Sequence, residues 1–158
     1  MITLQEETYN SLFEDKNFEK IIQENFKETG VLNSSFTLKP RLEMYKFLAE
    51  QKILLLYSVR DSKKLVGYFI AVMTDHPHYR KVKTVETDTF FLSKEYRKGL
   101  LGYKFLKYTI FELKKKVNLI FLTKVNLIFL TSNIKRDLST ILSRLGFKLT
   151  DYKYMLEV

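Results

Sequence analysis

The chain has no cysteine, only two histidines, two prolines and five glycines, and no long apolar run in its 158 residues. Without cysteine there are no disulfides, no thiol nucleophile and no thiolate-bound metal, which suits a reducing compartment. His76 and His78, beside Asp75, would need a distant third ligand to close a metal site. No other histidine can supply one, so Asp75 to Lys81 reads as a loop able to line the acceptor side of a cleft, and no metal is expected. No apolar stretch approaches the roughly 18 residues of a membrane span, and the N-terminus has no basic-then-apolar signal pattern. A cytoplasmic protein with no membrane partner is the expectation. A serine hydrolase is disfavoured, because no G-x-S-x-G turn occurs.

What is present points to a folded domain. The hydrophobic fraction is 46% and the aromatic fraction 15%, ample for one domain spanning 1–158 with its own core. The formal net charge is +9, and it is uneven. The first thirty or so residues lean acidic, and the region from Lys94 onward carries 14 of the 27 Lys and Arg. A basic half fits an anionic partner, whether a nucleotide cofactor, nucleic acid or an acidic protein face; a solvated lysine-rich surface gives the same balance.

Hydrophobic periodicity orders the chain. Ile2 to Thr8 alternates as a first strand. Asn10 or Ser11 offers an N-cap, and Ser11 with Glu14 has capping-box spacing. Phe18, Ile21, Ile22 and Phe26 share one helical face, with Gly30 placed to end the helix. Pro40 suits the first turn of a second helix carrying Met44, Tyr45, Phe47 and Leu48, and both helices are expected to pack on the core. Lys52 to Arg60 and Leu65 to Thr74 form a hairpin about the turn Asp61 to Lys64, and Lys83 to Leu92 returns as a third strand. A helix follows from about Leu100 to Lys115. The last helix, capped by Asp137 or Ser139 and stopped at Gly146, carries Leu138, Ile141, Leu142 and Leu145. Phe147 to Val158 closes the chain as one or two strands.

Lys116 to Thr123 and Lys124 to Thr131 are the same octapeptide, KVNLIFLT, in tandem. As one strand, sixteen residues would span roughly 53 Å, beyond ordinary strand lengths. Eight is even, so either copy fills a strand slot with the same residues inward. The second copy, joined directly to Ser132-Asn133, is expected in the sheet, with the first extruded as a loop or an added edge strand.

Between the third strand and the following helix lies Tyr96-Arg97-Lys98-Gly99-Leu100-Leu101-Gly102. Strand, glycine-bearing basic turn and helix together aim unpaired N–H groups, a helix dipole and two cationic side chains at one spot, which favours phosphate. Neither the P-loop nor the dinucleotide fingerprint fits. The stretch resembles the pyrophosphate-binding motif of the GNAT superfamily of N-acetyltransferases, R/Q-x-x-G-x-G/A after a strand. Arg97 and Gly102 match its ends; Leu100 holds the middle glycine's place, and Gly99 lies one residue earlier. Phe91 to Arg97 is similar to the family's strand end, and Leu145-Gly146-Phe147 to its terminal Leu-Gly-Phe. With one octapeptide removed, the order β, α, α, β, β, β, α, β, α, β is the family's over the whole chain. The chain looks most like the small members encoded by bacteriophages.

The resemblance implies an α+β fold, a mixed, mostly antiparallel central sheet flanked by helices, with acetyl-CoA as cofactor and an amine-bearing acceptor, small molecule or protein. The protein would be a monomer or homodimer. Backbone N–H groups from Lys98 through Gly99, Leu100 and Leu101 to Gly102 would hold the pyrophosphate, with Arg97 and Lys98 adding charge. The pantetheine arm would lie between Phe90, Phe91 and Leu92 on one side and the strand leading into Ser132 and Asn133 on the other. A backbone N–H near Phe90 or Phe91 would polarise the thioester carbonyl. Transfer would be direct, since no cysteine can carry an acyl group.

Amine acetylation needs a base. Glu86 and Asp88, two apart on a strand, face one side at about 6.5–7 Å, either in a cleft or on a solvent-facing edge. The family's usual general-acid tyrosine falls at Leu142, leaving Tyr154, Tyr152 or Tyr79 as substitutes. Two other readings remain open: a non-catalytic member acting on a protein partner, and a tRNA- or nucleic-acid-directed enzyme using the basic C-terminal half.

Overall fold

A computed structural model describes residues 1–30, 37–118, 123–131 and 137–150. The described elements are β1 (Ile2–Glu6), α1 (Tyr9–Phe13), α2 (Phe18–Thr29), α3 (Leu42–Glu50), β2 (Leu54–Asp61), β3 (Lys64–Asp75), β4 (Lys83–Leu92), α4 (Leu101–Lys115), β5 (Val117–Asn118), β6 (Thr123–Phe129) and α5 (Ser139–Arg144). The sheet order is β1-β2-β3-β4-β6-β5. The first four strands are antiparallel, whereas β4 and β6 run parallel across the crossover helix α4. This is the α+β layering expected from the sequence.

β3 sits inside the sheet, and its residues from Leu65 to Ala71 are all buried. Alternation sends Phe69 and Ala71 to one face, with Phe105, Leu106 and Leu113 of α4, and Tyr68 and Ile70 to the other, with Leu12, Phe13, Phe18 and Ile21 of α1 and α2. A bulge at Val66 shifts the phase, so Val66 joins the first face and Leu65 the second. Gly67 is fixed by packing: an added Cβ would stand 2.8 Å from Leu92 Cδ1 and 2.9 Å from the Phe91 carbonyl oxygen.

The first helical stretch differs from expectation. It breaks into α1 and α2, and Thr8 with Ser11 forms the capping box, not Ser11 with Glu14. Thr8 Oγ1 accepts the Ser11 N–H at 3.2 Å, and Ser11 Oγ accepts the Thr8 N–H at 2.8 Å. Glu14 is instead the C-terminal cap position of α1. α3 also departs from its expected role. It buries no residue, and Met44 and Phe47 are exposed; Tyr45 packs against the α1–α2 side of the core.

The second octapeptide occupies the slot beside β4, pairing Lys83 with Val125 through Glu86 with Phe129. The first begins β5 at the sheet edge. Of the expected closing strand, 147–150 is irregular and 151–158 lies outside the described residues.

Candidate active site

The turn after β4 is built from both ends. Ser93 leads into a short 3-10 turn, Lys94–Tyr96. Gly99 then takes φ +80, a conformation that disfavours side-chain-bearing residues, and nothing lies within 4 Å of a Cβ added there. Leu100 precedes α4 and offers no side-chain cap. The N–H groups of Leu101, Gly102 and Tyr103 therefore have no capping partner among the described residues, at the positive end of a fifteen-residue helix.

Against this helix start lies a cavity of ≈ 580 Å³. Phe90 and Leu92 of β4 form one wall, Gly99, Leu100, Gly102 and Tyr103 the helix start, and Leu138, Ile141 and Arg144 the α5 side; Arg97 completes it. A Cβ added to Gly102 would meet only Leu92 Cδ2, at 3.8 Å. No protein atom requires glycine there, so the bare Cα leaves room for a ligand to approach the backbone. Uncapped donors, a flanking arginine and this open approach fit a pyrophosphate-bearing cofactor.

Arg97 is more a brace than a free cation. Its Nε donates to the Leu92 carbonyl at 2.6 Å, and Nη1 pairs with Glu28 of α2 at 2.7 Å. The guanidinium lies 5.2 Å from the Phe91 ring centroid. Lys98 and Leu101 line a separate groove on the far flank of α4. Phe91 is fully buried in the α1–α2 side of the core.

Pairing between β4 and β6 ends at Glu86 and Phe129, while β4 runs on to Leu92. β6 also ends at Phe129, so beyond Glu86 the β6 side of β4 has no strand partner among the described residues. Phe90 and Leu92 lie on this unpaired length, where the resemblance puts the pantetheine arm. Glu86 and Asp88 stand where it starts, both exposed. Val85 belongs to the α4-side core, so Glu86 faces the opposite side, toward α1–α3. A bulge makes Asp88 the extra residue, since Ile70 pairs with Thr89 and Ala71 with Thr87. Tyr45 Oη of α3 donates to Asp88 Oδ2 at 2.8 Å. Burial, joined by the Asp88 carboxylate, pushes the Tyr45 phenol well above its usual range.

Ser132, Asn133, Tyr152 and Tyr154 lie outside the described residues. Leu142 is buried, and Tyr79 is 60% exposed in the loop against His76. Among the described residues no His, Asp and Glu cluster could hold a metal. Tyr45, Tyr103 and Arg144 are residues of this region that sequence reasoning misses. Leu138, Ile141 and Arg144 recur every third residue on one face of the last helix, the one signal that could have placed Arg144 at the cavity.

No family model matches the sequence, and no curated protein matches it. Solved structures do. A predicted acetyltransferase with acetyl-CoA from Clostridium acetobutylicum aligns with TM-score 0.74 at 11% identity, covering 99% of this chain and 96% of its own. Glucosamine-6-phosphate N-acetyltransferase from Arabidopsis thaliana gives 0.71 at 8% identity, covering 99% and 98%. Ribosomal-protein-alanine N-acetyltransferase from Brucella melitensis biovar Abortus 2308 gives 0.68 at 10% identity, covering 100% and 97%. The chain has the GNAT acetyltransferase fold over nearly its whole length.

Proposed function

We propose that the protein is an acetyl-CoA-dependent N-acetyltransferase that acetylates a primary amine by direct transfer. One observation carries this: the cavity of ≈ 580 Å³ that joins an uncapped helix start to the length of β4 beyond its last pair with β6. The fold shared with acetyltransferases supports it, as does the one aligned with acetyl-CoA. The neighbours named for glucosamine-6-phosphate and for ribosomal-protein alanine support an amine acceptor. The bacteriophage-type subclass enters the proposal on the overall sequence resemblance alone.

When bound, acetyl-CoA would supply an activated acetyl thioester. The N–H groups of Leu101, Gly102 and Tyr103 would hold its pyrophosphate, with Arg144 adding charge from α5. Arg97 would fix the turn to the end of β4 and to α2. Phe90 and Leu92 would shield the arm from water. Glu86 or Asp88 would take the proton of the ammonium acceptor, directly or through water. Ser132, Asn133 and Tyr154 stay in the proposal on the resemblance alone.

The test is release of coenzyme thiol from acetyl-CoA across a panel of primary amines. A thiol-reactive dye reports only the coenzyme, because the protein has no cysteine. Turnover with at least one amine is expected. Glu86→Gln or Asp88→Asn should lower kcat more than acetyl-CoA affinity, with partial recovery at high pH, where the amine is already neutral. Two fully active variants would remove both carboxylates from the mechanism. Acetyl-CoA binding with no turnover on any amine would favour a non-catalytic binder.

A further inference from the structure

We propose that the outer face of α4 and the groove at its start form a docking surface for single-stranded RNA. The observation is separate from the acetyl-transfer reading. Lys104, Lys107, Phe111 and Lys114 are all exposed, and at 100° per residue they fall within about 80° of arc. Among the described residues, none of these three lysines pairs with a carboxylate, whereas Lys115 pairs with Glu112 and Lys116 with Glu6. An amphipathic helix needs solvation on its outer face, but interspersed acids would serve that equally well. Here the stripe is purely cationic, with one large ring in its middle.

That ring is the second observation. Phe111 is 57% exposed, and the Lys115 ammonium lies 3.8 Å from its centroid. An exposed aromatic among cations is the arrangement on which unpaired bases stack while phosphates meet the charges.

The groove is the third. It measures ≈ 440 Å³, with Ile2, Leu4, Leu100 and Leu101 as apolar surface and Lys98 and Lys104 as its charges. It lies at the N-terminal end of the same stripe, large enough for an unpaired base beside two cations. A duplex keeps its bases stacked and could not use it, so the surface favours a single strand. An acidic protein would use the lysines and could also bury Phe111, so tighter binding of an acidic polypeptide than of the single strand would overturn the proposal.

The test is fluorescence polarisation of a labelled single-stranded RNA of mixed sequence at near-physiological salt. Lys104→Ala/Lys107→Ala/Lys114→Ala should weaken binding at least tenfold and reduce the log–log salt slope by about 2, at ~0.7 for each phosphate no longer neutralised. Phe111→Ala should weaken binding several-fold with the slope unchanged, because stacking releases no counterions. A charge-matched control, Lys16→Ala/Lys20→Ala/Lys27→Ala, removes exposed lysines on and beside α2 and should bind as wild type. Acetyl-CoA affinity of the α4 triple variant should be unchanged. The proposal is overturned if the control loses as much as the α4 variant, since net charge alone would then explain binding. It is also overturned if RNA duplex or anionic phospholipid vesicles bind more tightly than the single strand. Loss of acetyl-CoA binding in the α4 variant would instead assign the stripe to the cofactor site, and wild-type RNA affinity in that variant would remove the stripe from any RNA role.

Discussion

Two helix starts in this chain are built in opposite ways. At α1, Thr8 and Ser11 close a reciprocal capping box, and Ser11 Oγ also donates to Glu7 Oε2 at 2.5 Å. Glu7 in turn accepts from Ser58 Oγ at 2.6 Å and Arg60 Nε at 2.7 Å, and Arg60 Nη1 reaches Asp15 at 2.6 Å. These ionic side chains are at most 13% exposed, and the shared hydrogen bonds offset their desolvation. At α4 the start has no side-chain cap, follows a glycine at positive φ, and opens on a cavity. One start commits its donors to the fold. The other leaves them uncommitted beside a cavity.

Breaking the satisfied end should have the largest effect on stability. Arg60→Ala leaves Glu7 and Asp15 buried without their cation, and about 3–5 kcal/mol of stability should be lost in urea unfolding. A loss under about 1 kcal/mol, the scale of an ordinary exposed pair, would show that the cluster is not a structural anchor.

The same cluster sets an acid limit. Burial alone would raise the Glu7 and Asp15 carboxyls, but hydrogen bonds from Arg60, with Ser11 and Ser58 at Glu7 and Asn17 at Asp15, leave both below their ordinary values. Groups lowered in the folded state stabilise it above their ordinary values of 4.5 and 3.8, and that stability drains as the pH falls through the lower folded values. Melting temperature should therefore fall below about pH 4.5, and by less in Arg60→Ala. An equal decline in both proteins would place the acid sensitivity elsewhere.

Two smaller substitutions cross the comparison. Thr8→Ala removes the α1 cap and should cost about 1 kcal/mol with acetyl-CoA affinity unchanged. Leu100→Asp puts a carboxylate beside the α4 start, at a residue 65% exposed. It should stabilise the fold by about 0.3–1 kcal/mol and weaken acetyl-CoA binding, the opposite sign on stability with an effect on binding that Thr8→Ala lacks. Denaturation and calorimetry on the two variants read this directly, and parallel behaviour would dissolve the contrast.

The sheet was legible in the sequence because buried strands alternate or run apolar, and β4 has the bounds read for it, Lys83–Leu92. The even length of the tandem octapeptide lets either copy fill the slot, and the second could be placed because it joins directly to Ser132-Asn133; β6 indeed pairs with β4. The glycine turn was legible through its neighbours, a strand before and a helix after. Helix ends were harder. Thr8 and Ser11 compete with Ser11 and Glu14 for one spacing rule, and tertiary contacts with Ser58 and Arg60 decide between them. α3 has the composition of a core helix, yet the shape of the fold leaves Met44 and Phe47 exposed. Partners distant in sequence, such as Tyr45 with Asp88 and Arg97 with Glu28, leave no periodic trace.

The central claim is that the bare, uncapped start of α4 is the cofactor's phosphate site. Calorimetric titration of acetyl-CoA into wild type and Gly102→Glu tests it most directly. Gly102 borders the cavity, and a Cβ there meets no protein atom closer than 3.8 Å, so the variant should keep its melting temperature nearly unchanged. Its added carboxylate would oppose the pyrophosphate, and saturable binding seen in wild type should vanish. Equal affinity in the two folded proteins would contradict the assignment.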